Sequence, residues 1–184
     1  MALRTVRLES DPILRKKAQK VKNVDGAILS LLRDMADTMY ENNGIGLAGN
    51  QVGVLKRVVV ADDGEGLLML VNPIIIEKEG IECKEEGCLS LPELYGDVER
   101  ATYIKLKALD EKGNRIELEA HDLLARILQH ELDHLDGKLF VDTASNIVKR
   151  EPKEQEETEQ GNAEQAEIKQ EKVIEQNELV GEKS

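Results

Sequence analysis

Residues 129–137 read Gln-His-Glu-Leu-Asp-His-Leu-Asp-Gly, which places His130 and His134 four positions apart inside a run whose apolar spacing is helical. Four residues advance an α-helix by just over one turn, so both imidazoles can leave one face and converge on a single divalent metal ion. Glu131, next to the first of them, lies beside such an ion and can take a proton from water without being a ligand. Leu123, Leu124 and Ile127 are spaced to line up beneath the imidazoles, and Gly137 stands where a helix C-cap belongs. The pattern predicts a helix over 122–136, carrying hydrolytic chemistry on or beside its buried stripe.

Outward from this helix, the chain reads mostly as strand. Ile104, Leu106 and Ala108 alternate with Lys105 and Lys107, and Ile116, Leu118 and Ala120 alternate with Glu117 and Glu119. Asp110-Glu111-Lys112-Gly113-Asn114 between them is a hairpin connection. Further upstream, 57–62, 67–72 and 73–78 are β-rich and are separated by the Asp62–Gly66 cluster and by Pro73. Ile28, Leu31, Leu32, Met35 and Met39 recur at helical spacing, predicting an amphipathic helix over 25–42. Hairpin-joined strands flanked by helices, without a strand-helix-strand rhythm, predict an α+β fold with mostly antiparallel sheet.

Two histidines do not complete a metal site. The position six residues after His134, where one class of zinc peptidases carries a third histidine, is Phe140. His121, the remaining histidine, precedes His130 by ~13 Å of helical rise and is expected at the surface or at a helix start. Cys88, in Glu86-Gly87-Cys88-Leu89-Ser90, is the better third ligand, because a thiolate binds zinc or ferrous iron strongly. Cys83 follows Ile81 in a strand-like segment and is expected to be a small buried cysteine. One cysteine, two histidines and water suit zinc, ferrous iron, nickel or cobalt.

Three short motifs now stand in order: Gly44-Ile45-Gly46-Leu47-Ala48-Gly49-Asn50-Gln51, then Glu86–Ser90, then Gln129–His134. In this the chain resembles the bacterial-type peptide deformylases over roughly residues 1–150. The second and third motifs are intact, whereas the first has Gly49-Asn50 where the commonest form has Ala-Pro. The glycines at 44 and 46 follow a helix and not a strand, which excludes a dinucleotide-binding loop.

The resemblance implies a motif helix packed centrally against sheet. It implies one divalent ion, most often Fe(II), with Zn(II), Ni(II) or Co(II) as alternatives, held by Cys88, His130 and His134. Glu131 would be the general base, with the backbone N–H of Leu89 and the side chain of Gln51 as donors to the formyl oxygen. Gly46, Gly87 and Leu89 would enclose the formyl group, and Ile45 and Ile127 would border the methionine side chain. Glu86, Asp133 and Arg100 are candidates to orient the ligands. The implied substrates are N-formylmethionyl nascent peptides, met in transient contact with the ribosome. A metallopeptidase cleaving internal bonds, and a non-catalytic protein acting through its acidic end, are the competing readings; Phe140 and Cys88 count against the first, Glu131 and Gln51 against the second.

Of the formal net charge of −12, residues 151–184 carry −7, from 11 acidic and 4 basic side chains and no aromatic residue. That composition predicts a separate acidic tail, disordered or transiently helical, that repels nucleic acid and does not bind it. Lys149 and Arg150 are the nearer candidates for a ribosome contact. The longest apolar run, Leu67–Val71, is far shorter than a membrane span, and the first residues lack the apolar core of a signal peptide, so the expected location is the cytoplasm.

Overall fold

In the computed structural model, which describes residues 2–150, strand β2 (Val58–Ala61) is buried along its whole length. Successive strand residues point to opposite faces, and each face of β2 meets a different helix. Val58 and Val60 pack with Leu31, Leu32, Met35 and Met39 of helix α1 (Gly26–Glu41). Val59 and Ala61 pack with Ala125, Ile127, Leu128 and Leu135 of helix α2 (Asp122–Leu135). Burying each of these large aliphatic side chains contributes about 1.5–3 kcal/mol, so the two-sided strand is the keel of the core.

Around β2 runs a five-stranded antiparallel sheet in the order β1-β2-β3-β6-β7, with β1 Gly46–Ala48, β3 Leu68–Glu79, β6 Tyr103–Leu109 and β7 Arg115–His121. A second, three-stranded antiparallel sheet has the order β4-β5-β8, from Glu82–Cys88, Leu91–Arg100 and Ser145–Lys149. Helix α2 faces the larger sheet with its apolar side and sends Arg126, His130 and Asp133 toward β4 and β5. The fold is α+β, antiparallel, with the motif helix at its centre, as the sequence pattern and the resemblance imply.

Helix α1 starts on a side-chain cap and helix α2 does not. Asp25 caps α1 by accepting from the N–H of Ile28 at 3.0 Å, an arrangement worth about 1 kcal/mol. His121 is the exposed N-cap residue of α2, and Gly137 beyond its end has φ +76°. The hairpin at 110–114 is present, with Asp110 accepting from the backbone of Lys112 and Asn114.

Three expectations are corrected. The segments 67–72 and 73–78 are one strand, β3, which passes through Pro73 with a register shift between Val71 and Ile74. Asn72 absorbs the irregularity at φ +54°, and its side chain exchanges two 2.8 Å hydrogen bonds with the backbone of Val21. Cys83 is exposed, because β4 is the edge strand of the small sheet and Cys83 faces solvent there. Leu123 is 48% exposed, so the apolar stripe of α2 starts one residue later, with Leu124, and Ile127 packs as expected. The expectation of an acidic tail over 151–184 lies outside the described residues. Among the described residues no helix is long and apolar enough to cross a membrane.

Candidate active site

The second and third motifs meet where β4 ends against α2. Cys88 Sγ lies 3.3 Å from His134 Nε2, which in turn lies 3.1 Å from His130 Nε2, and the three atoms fall within 4.8 Å of one another. Glu86 Oε2 stands 2.9 Å from His130 Nδ1. A carboxylate only accepts, so Nδ1 carries the proton and Nε2 is the atom turned to the cluster. Phe140, the residue at the third-histidine position of the peptidase pattern, is buried and stacks on the His130 ring at 6.2 Å between centroids.

The charges around the cluster favour a cation within it. Burial works against protonation of His130, but the neighbouring Cys88, the hydrogen bond with Glu86 and the nearby Glu131 carboxylate outweigh it and raise the imidazole to about 10. His134 is pushed well below its ordinary value by burial and by His130. One thiol and two imidazoles turned to one point are a donor set that fits a divalent ion. Burial opposes ionisation of Glu86, but His130 and Arg100 hold its carboxyl at about 2.

Gln51 reaches the same place from the first motif. Its Oε1 accepts from the Ala48 N–H at 2.8 Å, which turns Nε2 toward Cys88 Sγ at 3.5 Å and Ser90 Oγ at 3.3 Å. Glu131 is buried, Oε2 has no hydrogen-bond partner among the described residues, and burial pushes its carboxyl up to about 7. A group poised there can both take and return a proton near neutrality. Gly46 is what admits it: a Cβ at that position would stand 2.4 Å from Glu131 Oε1 and 2.8 Å from Ile127 Cγ2.

Gly46, Ile127 and Glu131 thus form one contact, and Leu89 closes against Gly44, whose missing Cβ would lie 2.7 Å from Leu89 Cδ1. Ile45 and Gly87 are exposed at the margin. The Gly49-Asn50 departure opens a 3₁₀ turn, Gly49–Val52. A Cβ on Gly49 would meet the carbonyl oxygens of Lys56 and Val54 at 2.5 and 2.8 Å, and Asn50 donates its side-chain N–H to the Lys16 carbonyl.

Residues 3–150 match the family model described as polypeptide deformylase. The chain belongs to the peptide deformylase family. A peptide deformylase of Thermoanaerobacter pseudethanolicus is 53% identical over 155 residues, 84% of this chain and 98% of the relative. Peptide deformylase 1 of Clostridium acetobutylicum is 55% identical over 142 residues, 77% of this chain and 95% of the relative. The crystal structure of peptide deformylase from Thermotoga maritima superposes with a TM-score of 0.77 at 40% identity, covering 79% of this chain and 99% of that one. Peptide deformylases are metalloenzymes, and the Cys88, His130 and His134 group of this family member can hold a metal ion.

Sequence reasoning did not single out Ser90, Gln129 or Arg126. Ser90 completes the hold on Gln51, and Gln129 ties α2 to the backbone of Ala101 at 3.1 and 2.9 Å. Arg126 carried a readable signal: a guanidinium on the buried side of an amphipathic helix, four residues before His130, requires an acidic partner there.

Proposed function

We propose that Cys88, His130 and His134 hold one divalent metal ion, ferrous iron in the native state, and that residues 1–150 are the catalytic domain acting on N-formylmethionyl peptides. As a member of its family the chain is a hydrolase that removes the N-formyl group from nascent peptides. The observation carrying the residue assignment is the convergence of Sγ and two Nε2 atoms beside a buried carboxylate with a free oxygen. When bound, the ion supplies Lewis acidity toward water and toward the formyl carbonyl.

The protein's own groups account for the remainder. Glu131 takes a proton from the attacking water and delivers it to the departing α-amine, so that formate and a free N-terminus result. Gln51 Nε2 and the Leu89 N–H donate to the formyl oxygen as charge builds there; removing such a donor typically costs ~3 kcal/mol of transition-state stabilisation. Gly46 and Leu89 leave room for a formyl hydrogen where a larger acyl group would meet Glu131 or Ile127, and Gly87 borders the same space. Ile45 and Ile127 flank the methionine side chain.

The reaction belongs to the cytoplasm and to transient encounters with the ribosome. Lys149 and Arg150 are exposed but already ion-paired, with Glu93 at 3.2 Å and Glu85 at 2.7 Å, so an anionic contact there must compete with those partners.

The test compares a formyl-Met tripeptide, its acetylated analogue and the unformylated peptide, using full-length protein reconstituted anaerobically with Fe(II). Formate from the first and no new amine from the other two is the expected result. Cleavage of an internal bond in the unformylated peptide would assign the site to a peptidase.

A further inference from the structure

Helix α2 grips a single carboxylate with two of its side chains. Arg126 and His130, one turn apart, reach opposite oxygens of Glu86: Arg126 Nη1 donates to Oε1 at 2.8 Å, and His130 Nδ1 donates to Oε2 at 2.9 Å. Arg100 donates to the same two oxygens, from Nε at 2.9 Å and Nη2 at 3.0 Å, so all four acceptor sites of the carboxylate are filled. Arg100 also bonds Asp133, on the next turn of α2.

Arg126 is anchored as well as bonded. Nη1 also donates to the Val98 carbonyl at 3.0 Å and Nη2 to the Glu82 carbonyl at 2.7 Å, which pins the guanidinium to β5 and β4. Arg126, Glu86 and Arg100 are each less than a tenth exposed. A planar fork held at three points has one orientation, and it imposes that orientation on the carboxylate. Arg100 fixes the plane of the carboxylate from the β5 side through both oxygens, and Arg126 is the group on α2 that ties Oε1 to the helix carrying His130.

We propose that Arg126 is a positioning residue for His130: it locks the Glu86 carboxylate against α2 so that the His130 ring keeps Nε2 on the Cys88 and His134 cluster. The inference rests on the metal-site reading of those three residues. Arg126 makes no hydrogen bond to Cys88, His130, His134 or Glu131 among the described residues, so its influence on chemistry runs through Glu86. Outer partners of metal-binding histidines are typically worth ~10–100-fold in metal affinity, and Arg126 acts one contact further out, toward the lower end of that range.

The test is titration of full-length apo protein with Co(II) against a competing chelator, read by its visible absorption, for wild type, Arg126→Met and Arg126→Lys. Wild type is expected to bind one equivalent. Arg126→Met should bind ~10-fold more weakly with altered bands, reflecting a displaced imidazole. Arg126→Lys keeps the charge but lacks the planar fork that fixes the carboxylate's orientation, so it should fold and fall between the two. Formate assays should show kcat lowered and KM little changed, since Arg126's hydrogen bonds go to Glu86 and to the Val98 and Glu82 carbonyls and to none of the groups proposed to hold substrate.

If Arg126→Met does not fold, Arg126→Lys carries the test. Wild-type cobalt affinity and spectrum in Arg126→Lys, or in folded Arg126→Met, overturns the positioning role while leaving the metal site intact. Failure of wild type to bind cobalt overturns the metal-site reading and this inference with it.

Discussion

Gly46 decides how near Glu131 can stand to a bound formyl group. A methyl there would overlap Glu131 Oε1 at 2.4 Å and Ile127 Cγ2 at 2.8 Å, so both buried side chains must shift to admit it. Gly46→Ala should therefore destabilise the protein by ~1–3 kcal/mol and lower formate release beyond what the lost stability explains. Equal turnover in the alanine variant would show that the carboxylate can stand elsewhere. Glu131→Gln is the complementary change: it retains the metal, because the carboxylate is outside the ligand set, while turnover falls ~10²–10⁴-fold. Cys88→Ala should lose metal and turnover together, and elemental analysis of both variants separates base from ligand.

The short 3₁₀ turn Phe140–Asp142 stacks Phe140 on His130 of α2, and the ion pair of Asp142 with Arg15 makes the turn's anchorage acid-sensitive. Burial raises the Asp142 carboxyl, but Arg15 and the Leu139 N–H outweigh it, and the net displacement is downward from 3.8. A carboxylate lowered in the folded state contributes stability above its unfolded value, and that contribution is lost as pH falls through the lowered one. Asp142→Asn should thus melt below wild type near pH 7, with the gap closing as pH falls below the ordinary aspartate value of 3.8 and through the lowered one. A gap that is constant over this range would exclude the ion pair as its source.

Elements of this kind differ in how far they could be read beforehand. Helix α2, helix α1 and the hairpin at 110–114 were legible because apolar period, caps and turn residues agree. Continuation of β3 through Pro73 was not, because it depends on Asn72 bonding the distant backbone of Val21. Strand β4 was legible only as a strand-like stretch around Cys83, because Glu82, Cys83, Lys84 and Glu85 have no consistent buried face. The ligand-bearing residues were visible as motifs, whereas Arg126 as a partner of Glu86 required knowing that β4 lies against α2.

Across the whole molecule the proposed ligands, base and donors all precede residue 150. Truncation after Arg150 should leave the thermal midpoint and the turnover of a short formyl-Met peptide nearly unchanged; a large loss of either would contradict the placement of the catalytic domain at residues 1–150. The central claim is that one metal ion at Cys88, His130 and His134 works with Glu131 on a formyl amide. Its most direct test measures metal content and formate release on the same Fe(II)-loaded, oxygen-free samples of wild type and Glu131→Gln. The account predicts one ion per chain in both, with formate from wild type and at least ~10²-fold less from the variant. Formate release by metal-free wild type, or undiminished release by Glu131→Gln, would contradict it.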